Sequence, residues 1–303
     1  MYDLVIIGGG PAGLSAAVYA KRACLDLVVL EKEPMGGGQI IYTEQVDNYL
    51  GLPGKNGFDL ALAFEKHAKE LSVPFKTGVV SEIKKQENGF IVLLNSGEEI
   101  ETKTVLLATG ATHRKLGVPG ENEFAGAGVS YCATCDGAFF RNKTVAVNGG
   151  GDVALEDALY LAKQCKKVYL VHRRQGLRAT KILQEQMEKT ENITFLPDCV
   201  IEEIKGDGIV KKLSLRNVKD DTKKELDVDG VFIAIGMDPQ TEAVASVLEL
   251  EGGYIPAGED GITKAPGLFV AGDVRTKRLR QIVTAVSDGA NAVNSIVEYI
   301  NQR

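Results

Sequence analysis

At 303 residues the chain is long enough for about two domains of roughly 150 residues each. Its 35 Lys+Arg against 41 Asp+Glu leave a net charge of −6, the reverse of the basic footprint of a nucleic-acid binder. No apolar run reaches the roughly 18 residues that a bilayer span needs, and Met1-Tyr2-Asp3 runs into LVIIGGG without a basic leader, so the expectation is a soluble cytoplasmic protein with no nucleic-acid or membrane partner.

In chain order, DLVIIGGGPAGLSAAVYAKRACLDLVVLEK predicts a buried strand over about residues 3–7, a glycine turn, an amphipathic helix from about Gly13 and a strand ending at Glu31, a βαβ opening. Residues 75–109 read as a β-rich stretch with turn signals at Asn88-Gly89 and Asn95-Ser96-Gly97. KTVAVNGGGDVALEDALYLAKQCKKVYLVHRR then repeats the opening, with a strand near 143–147 and a second ending at His172. Gly8 maps to Gly149, Gly10 to Gly151, Gly13 to Ala154 and Glu31 to His172, each 141 residues on. That period is far too long for a solenoid and indicates two copies of one nucleotide-binding fold. Short strands around 199–205, 209–216 and 224–228 echo the first β-rich stretch, and LFVAGDV with a periodic helix from about 280 to 300 completes the first domain. The expected fold class is therefore α/β: two Rossmann-like domains, the second inserted into the first, each with a small β-meander. Residues 1–115 and 245–303 form the first and 116–244 the second, a linear two-domain split being the simpler alternative.

Gly8-x-Gly10-x-x-Gly13 lies between a strand and a helix, where glycines permit a tight turn and let the backbone approach a pyrophosphate at the helix N-terminus. Glu31, at the end of the second strand, is placed to accept hydrogen bonds from a ribose. In the second copy Gly149-x-Gly151-x-x-Ala154 keeps the turn, but Glu31 is replaced by His172-Arg173-Arg174, with Arg178 close behind. Arginines bind an extra phosphate through charge-assisted bonds, which argues for NADP(H) at this site. Cys132-Ala133-Thr134-Cys135 is the one close pair among five cysteines. Zinc would need two more ligands, and neither a second pair nor a close histidine pair is present, so a redox dithiol/disulfide is the better reading and no metal is expected. Asp136 follows directly and suits proton transfer as thiolate forms or leaves. Cys24, Cys165 and Cys199 read as small packing residues.

Taken together, GGGPAG at 8–13, GGQI at 37–40, ATG at 108–110, CATCDG at 132–137, GGGDVALEDA at 149–158, HRRQGLRA at 172–179, GLFVAGDV at 267–274 and RQIVTAVSDGA at 280–290 resemble the low-molecular-weight thioredoxin reductases, flavoproteins of the pyridine nucleotide-disulfide oxidoreductase class. The resemblance spans nearly the whole chain. It implies FAD on the discontinuous domain, contacted by Gly8, Gly10, Gly13, Glu31, Gln39, Asn48, Thr109, Gly110, Gly272, Asp273, Arg280, Gln281 and Ile282. It implies NADPH on the inserted domain, held by Gly149, Gly151, Asp152, Ala154, His172, Arg173, Arg174 and Arg178. By the same resemblance, Cys135 faces the flavin, Cys132 meets the disulfide of a thioredoxin-like partner, Asp136 is the acid/base, and the protein is a homodimer. Asn148, Val153 and Gln175-Gly176-Leu177 depart from the family's pattern. The alternative on the same fold is a reductase fed by ferredoxin, or an oxygen-dependent dithiol oxidase. Both are disfavoured by the retained basic cluster.

Overall fold

The computed structural model describes residues 1–43 and 46–302. It falls into two compact units, Met1–Thr112 with Asp238–Arg303, and His113–Met237. These divisions lie a few residues before the 115/116 and 244/245 boundaries read from the sequence. Gln240 already donates its backbone N–H to Gly110 O at 3.0 Å, and Val244 is buried in the first unit's core.

The first unit is built on the strand Tyr2–Ile7, whose last four residues are wholly interior. It pairs in parallel with Leu27–Glu31 on one side and Glu99–Leu107 on the other, so its continuous apolar run is buried on both faces. Alternation divides that burial. Leu4 and Ile6 face the helices Pro11–Arg22 and Ile282–Asn301, while Val5 and Ile7 face a second core with Ile83, Val92 and Val270. Each such side chain, fully buried, contributes roughly 1.5–3 kcal/mol. Phe75–Thr77 extends the sheet at one edge, and Val80–Gln86, Gly89–Leu94 and Glu99–Leu107 form an antiparallel meander at the other. Leu268–Val270 joins Glu99–Leu107 in parallel, so the chain's C-terminal part completes the sheet that its N-terminal part begins.

The second unit carries a parallel sheet ordered Ile193–Leu196, Lys167–Val171, Thr144–Asn148, Gly230–Ile233, Val129–Ser130. The helix Asp152–Ala162 lays Ala154, Leu155, Ala158 and Leu161 into its core, as the apolar spacing predicts. A separate antiparallel sheet of Cys199–Asp207, Ile209–Asn217 and Lys223–Asp227 is this unit's meander. The chain passes between the units through Ala111–His113 and Met237–Pro239, two short strands that pair with each other. No helix among the described residues is long and apolar enough to cross a membrane.

Candidate nucleotide sites and redox centre

In the first unit the strand Tyr2–Ile7 runs into a turn that only glycine can make. Gly8 has φ +109°, and a methyl group there would lie 2.4 Å from Ala108 O. At Gly13 a methyl would meet Gly8 O at 1.8 Å, so the helix can start against the turn only without a side chain. Gly10 caps that helix and Pro11 occupies its first position, leaving the first N–H groups unclaimed by any side chain. Glu31 closes over the turn, its Oε2 accepting Gly9 N–H at 2.6 Å and its Oε1 accepting Glu33 N–H at 3.1 Å. Each oxygen keeps a lone pair for a ligand hydroxyl.

The more distant residues of this set converge through the last helix. Gln281 caps it in a reciprocal box with Thr284, and Asn48 Nδ2 donates to Gln281 Oε1 at 2.9 Å. Ile282 packs beside Ile40, Val46 and Leu60, and Gln39 Nε2 donates to Ala111 O. Thr109 Oγ1 donates to Gln240 O at 2.5 Å, next to Gly110 at φ +72°. Arg280 lies 4.3 Å over the Tyr254 ring and donates through Nε to Asp273 O at 3.5 Å. Asp273 itself, in the turn Gly272–Val274, has a buried Oδ1 without a hydrogen-bond partner. Burial pushes its carboxyl above the ordinary aspartate value against the pull of Lys277 and Arg280. An orphaned buried acceptor beside bare glycine turns is the polar complement that a nucleotide with hydroxyl groups supplies.

The second unit repeats the turn with different consequences. A methyl at Gly149 would meet Ala234 O at 2.4 Å and the Ala154 methyl at 2.6 Å, so position 149 has no room for a side chain. His172 lies over Gly150 so closely that a methyl there would sit 2.4 Å from the ring. Burial, then Arg178, Arg173 and Arg174, depress the histidine's pKa, so it contributes shape while the arginines contribute charge. The loop carrying them is pinned twice to the turn: Arg178 N–H donates to Gly150 O at 2.7 Å, and Thr180 N–H donates to Asp152 Oδ1 at 2.7 Å. Gly151 caps the helix Asp152–Ala162. Arg173, Arg174 and Arg178 are exposed and hold no ion-pair partner among the described residues. Of the departures from the family pattern, Val153 is exposed on the helix surface, whereas Asn148 is buried at the strand end.

Cys132 and Cys135 form a disulfide on the one-turn helix Ala133–Asp136, capped by Cys132. Both residues are half-buried. Ser130, which sequence reasoning passed over, joins the centre on both sides: its Oγ donates to Asp136 Oδ2 at 2.6 Å and accepts Cys132 N–H at 3.1 Å. It ends the two-residue strand Val129–Ser130, too short to leave a periodic signal. Next to it, Tyr131 donates its hydroxyl to the buried Glu121 at 2.8 Å and stacks on His113. Cys165 and Cys199 are packing residues as expected. Cys24 is not: it stands exposed at φ +60° in the turn just past the first helix.

A model of the pyridine nucleotide-disulphide oxidoreductase family matches residues 2–289. The thioredoxin reductase of Listeria innocua serovar 6a is 42% identical over 304 residues, covering 100% of this chain and 95% of that protein. The thioredoxin reductase of Bacillus subtilis is 41% identical over 304 residues, covering 100% and 96%. Among solved structures, the crystal structure of thioredoxin reductase from Streptococcus pyogenes superposes with a TM-score of 0.94 at 42% identity, covering 100% of this chain and 99% of that one. The α/β fold class of two Rossmann-like domains, expected from the sequence, agrees with that match.

Proposed function

The chain belongs to the pyridine nucleotide-disulphide oxidoreductase family, and from that premise we propose that it is an NADPH-dependent flavoprotein reducing the disulfide of thioredoxin or a thioredoxin-like protein. FAD is assigned to Met1–Thr112 with Asp238–Arg303, and NADPH to His113–Met237, which also carries the redox disulfide. Bound NADPH and FAD supply the hydride and electron-pair chemistry. The fit on the flavin side rests on the Gly8–Gly13 turn, the Glu31 lone pairs and the orphaned Asp273 oxygen. On the other side it rests on three exposed arginines on the loop that Arg178 N–H ties to Gly150 O, where an acidic residue would repel a 2′-phosphate.

The chain's own residues carry the thiol–disulfide exchange. With Cys132 and Cys135 reduced, the Cys132 thiolate attacks one partner sulfur, forming a mixed disulfide and releasing the other partner sulfur as thiolate. Asp136, held by Ser130 at 2.6 Å, delivers the proton that this leaving thiolate takes up. Cys135 then gives its proton to the now ionised Asp136 and attacks Cys132; the intramolecular disulfide re-forms, and the departing partner sulfur takes that proton from Asp136, leaving the partner a dithiol. Two electrons and two protons have moved to the partner. The observation that carries this reading is the Cys132–Cys135 disulfide flanked by the Ser130–Asp136 pair, in the unit bearing the basic loop. By the same reading the protein works in the cytoplasm as a homodimer, which sedimentation of the holoenzyme checks.

The test is an anaerobic titration of the flavin's visible absorbance with NADPH, NADH serving as control. Bleaching by NADPH at far lower concentration than NADH is expected, followed by thioredoxin reduction on addition of the partner. A bound flavin that neither nucleotide bleaches would shift the assignment to a ferredoxin- or oxygen-linked enzyme.

A further inference from the structure

Beneath the first unit's nucleotide turn lies a closed set of charges that the preceding assignment leaves without a task. Asp288, on the helix Ile282–Asn301, accepts Gly272 N–H at 2.9 Å and Arg275 Nε at 2.8 Å on Oδ2, and Arg275 Nη2 at 2.7 Å on Oδ1. Lys277 Nζ reaches the same Oδ2 at 2.9 Å. The Asp288 and Lys277 side chains are 6% exposed and Arg275 is 8% exposed. The turn above them is wedged against the start of the helix Pro11–Arg22. A methyl at Gly272 would lie 2.9 Å from the Ala12 methyl, and one at Gly289 would lie 2.1 Å from Ala12 O.

The charge count singles out one partner. Arg275, bidentate on Asp288, already neutralises that carboxylate and directs Nη1 to Ala257 O and Thr276 O. The charge of Lys277 is therefore left over for Asp273, whose unpartnered Oδ1 lies 3.9 Å from its Nζ. Resting on the assignment of Asp273 to the flavin site, we propose that Lys277 is a positioning residue, pinned by Asp288 so that its ammonium keeps the Asp273 carboxylate ionised and able to accept a hydrogen bond from a flavin-nucleotide hydroxyl.

The groups facing Asp273 act in opposite directions. Burial and the Asp288 charge favour its protonated form, while Lys277, Arg280 and Arg275 favour the charged one. The sign of the pH effect follows. If only the carboxylate accepts the hydroxyl, FAD is held tightly above the Asp273 titration and loosens as pH falls through it. Replacing Lys277 by a neutral residue leaves Asp273 facing Asp288 with less compensation, so FAD loosens at a higher pH. An opposite charge at this distance moves such a titration by about 1–3 pH units.

The experiment dilutes the FAD-loaded holoenzyme at a series of pH values from acid to alkaline and follows released FAD by its fluorescence. Lys277→Met is expected to move the release midpoint up by about 1–3 pH units, and Lys277→Arg to bring it back toward the wild-type value. Asp273→Asn is expected to loosen FAD with no pH step, and adding Lys277→Met to it should change nothing further. Should Lys277→Met fail to fold, Lys277→Gln keeps a donor for Asp288 without charge, and the same upward shift is required of it. A neutral Lys277 variant that folds and releases FAD at the wild-type midpoint, while Asp273→Asn loosens FAD, overturns the proposal alone. An Asp273→Asn holoenzyme that holds FAD as the wild type does overturns the placement of Asp273 at the flavin, and the Lys277 proposal with it.

Discussion

At the scale of single residues, the chemistry divides into groups that touch reacting atoms and groups that hold them. Cys132→Ser and Cys135→Ser should each leave a yellow holoenzyme that NADPH bleaches but that no longer reduces thioredoxin. Full turnover in either variant would falsify the disulfide's role. Ser130 tests the holding function, because its hydroxyl donates to Asp136 and also accepts the Cys132 N–H. Ser130→Ala should slow thioredoxin reduction about tenfold while flavin bleaching keeps its rate, as loss of one hydrogen bond of about 1–1.5 kcal/mol implies. The arginines admit a cleaner split. Arg173→Ala with Arg174→Ala should raise KM for NADPH by about one to two orders of magnitude and leave KM for NADH nearly unchanged, measured by steady-state kinetics with each nucleotide. The cysteines and arginines stood out in the sequence because their signals are local, a pair of cysteines and a run of cations, whereas Ser130, at the end of a two-residue strand, gave none. Lys277 and Asp288 did not stand out either, since nothing in the spacing of a turn residue and a helix residue shows that one buried carboxylate will gather a lysine and an arginine.

Secondary-structure elements were readable where period and burial agree. Tyr2–Ile7, Leu27–Glu31 and Ile282–Asn301 lie within about two residues of the stretches predicted for them, because a doubly buried strand and a long amphipathic helix each impose a strong pattern. Val129–Ser130 and Met237–Pro239 are too short to impose any and are held by strands distant in the chain, and the one-turn helix at Cys132 is equally short but is fixed locally by its disulfide and Ser130. The helix Asp152–Ala162 carries a further consequence. Burial, then the charge of Glu156, raise the Asp157 carboxyl to about 7. Folded protein thus binds that proton more tightly than unfolded chain does, so the contribution to stability is complete below the ordinary aspartate pKa and is lost as pH rises toward 7. Asp157→Asn should flatten the fall of Tm over that window, and thermal scans of both holoenzymes from acid to neutral pH check it.

For the whole molecule, the nesting of one unit within the other was visible as a constant 141-residue offset, whereas the places where the chain crosses required the fold. Because Ala111–His113 and Met237–Pro239 are paired strands, neighbouring ends lie roughly 5 Å apart. Excising residues 114–236 and closing the gap with a short turn should therefore yield a folded protein that purifies yellow and has no disulfide reductase activity. A colourless or aggregated product would show that the first unit depends on its insert.

The same nesting sets an order of events during synthesis. The inserted unit is complete once residue 237 has been made, but the first unit waits for Leu268–Val270 to enter its sheet and for Ile282–Asn301 to close over Pro11–Arg22. At about 5–20 residues per second, the remaining 66 residues (303 − 237) take about 3–13 s to appear. Through that interval the first half of the FAD cradle, although translated earliest, has an open sheet and an uncovered helix. The part of the chain made first is the part finished last, and it is there that a chaperone, or the flavin itself, has the longest time to act.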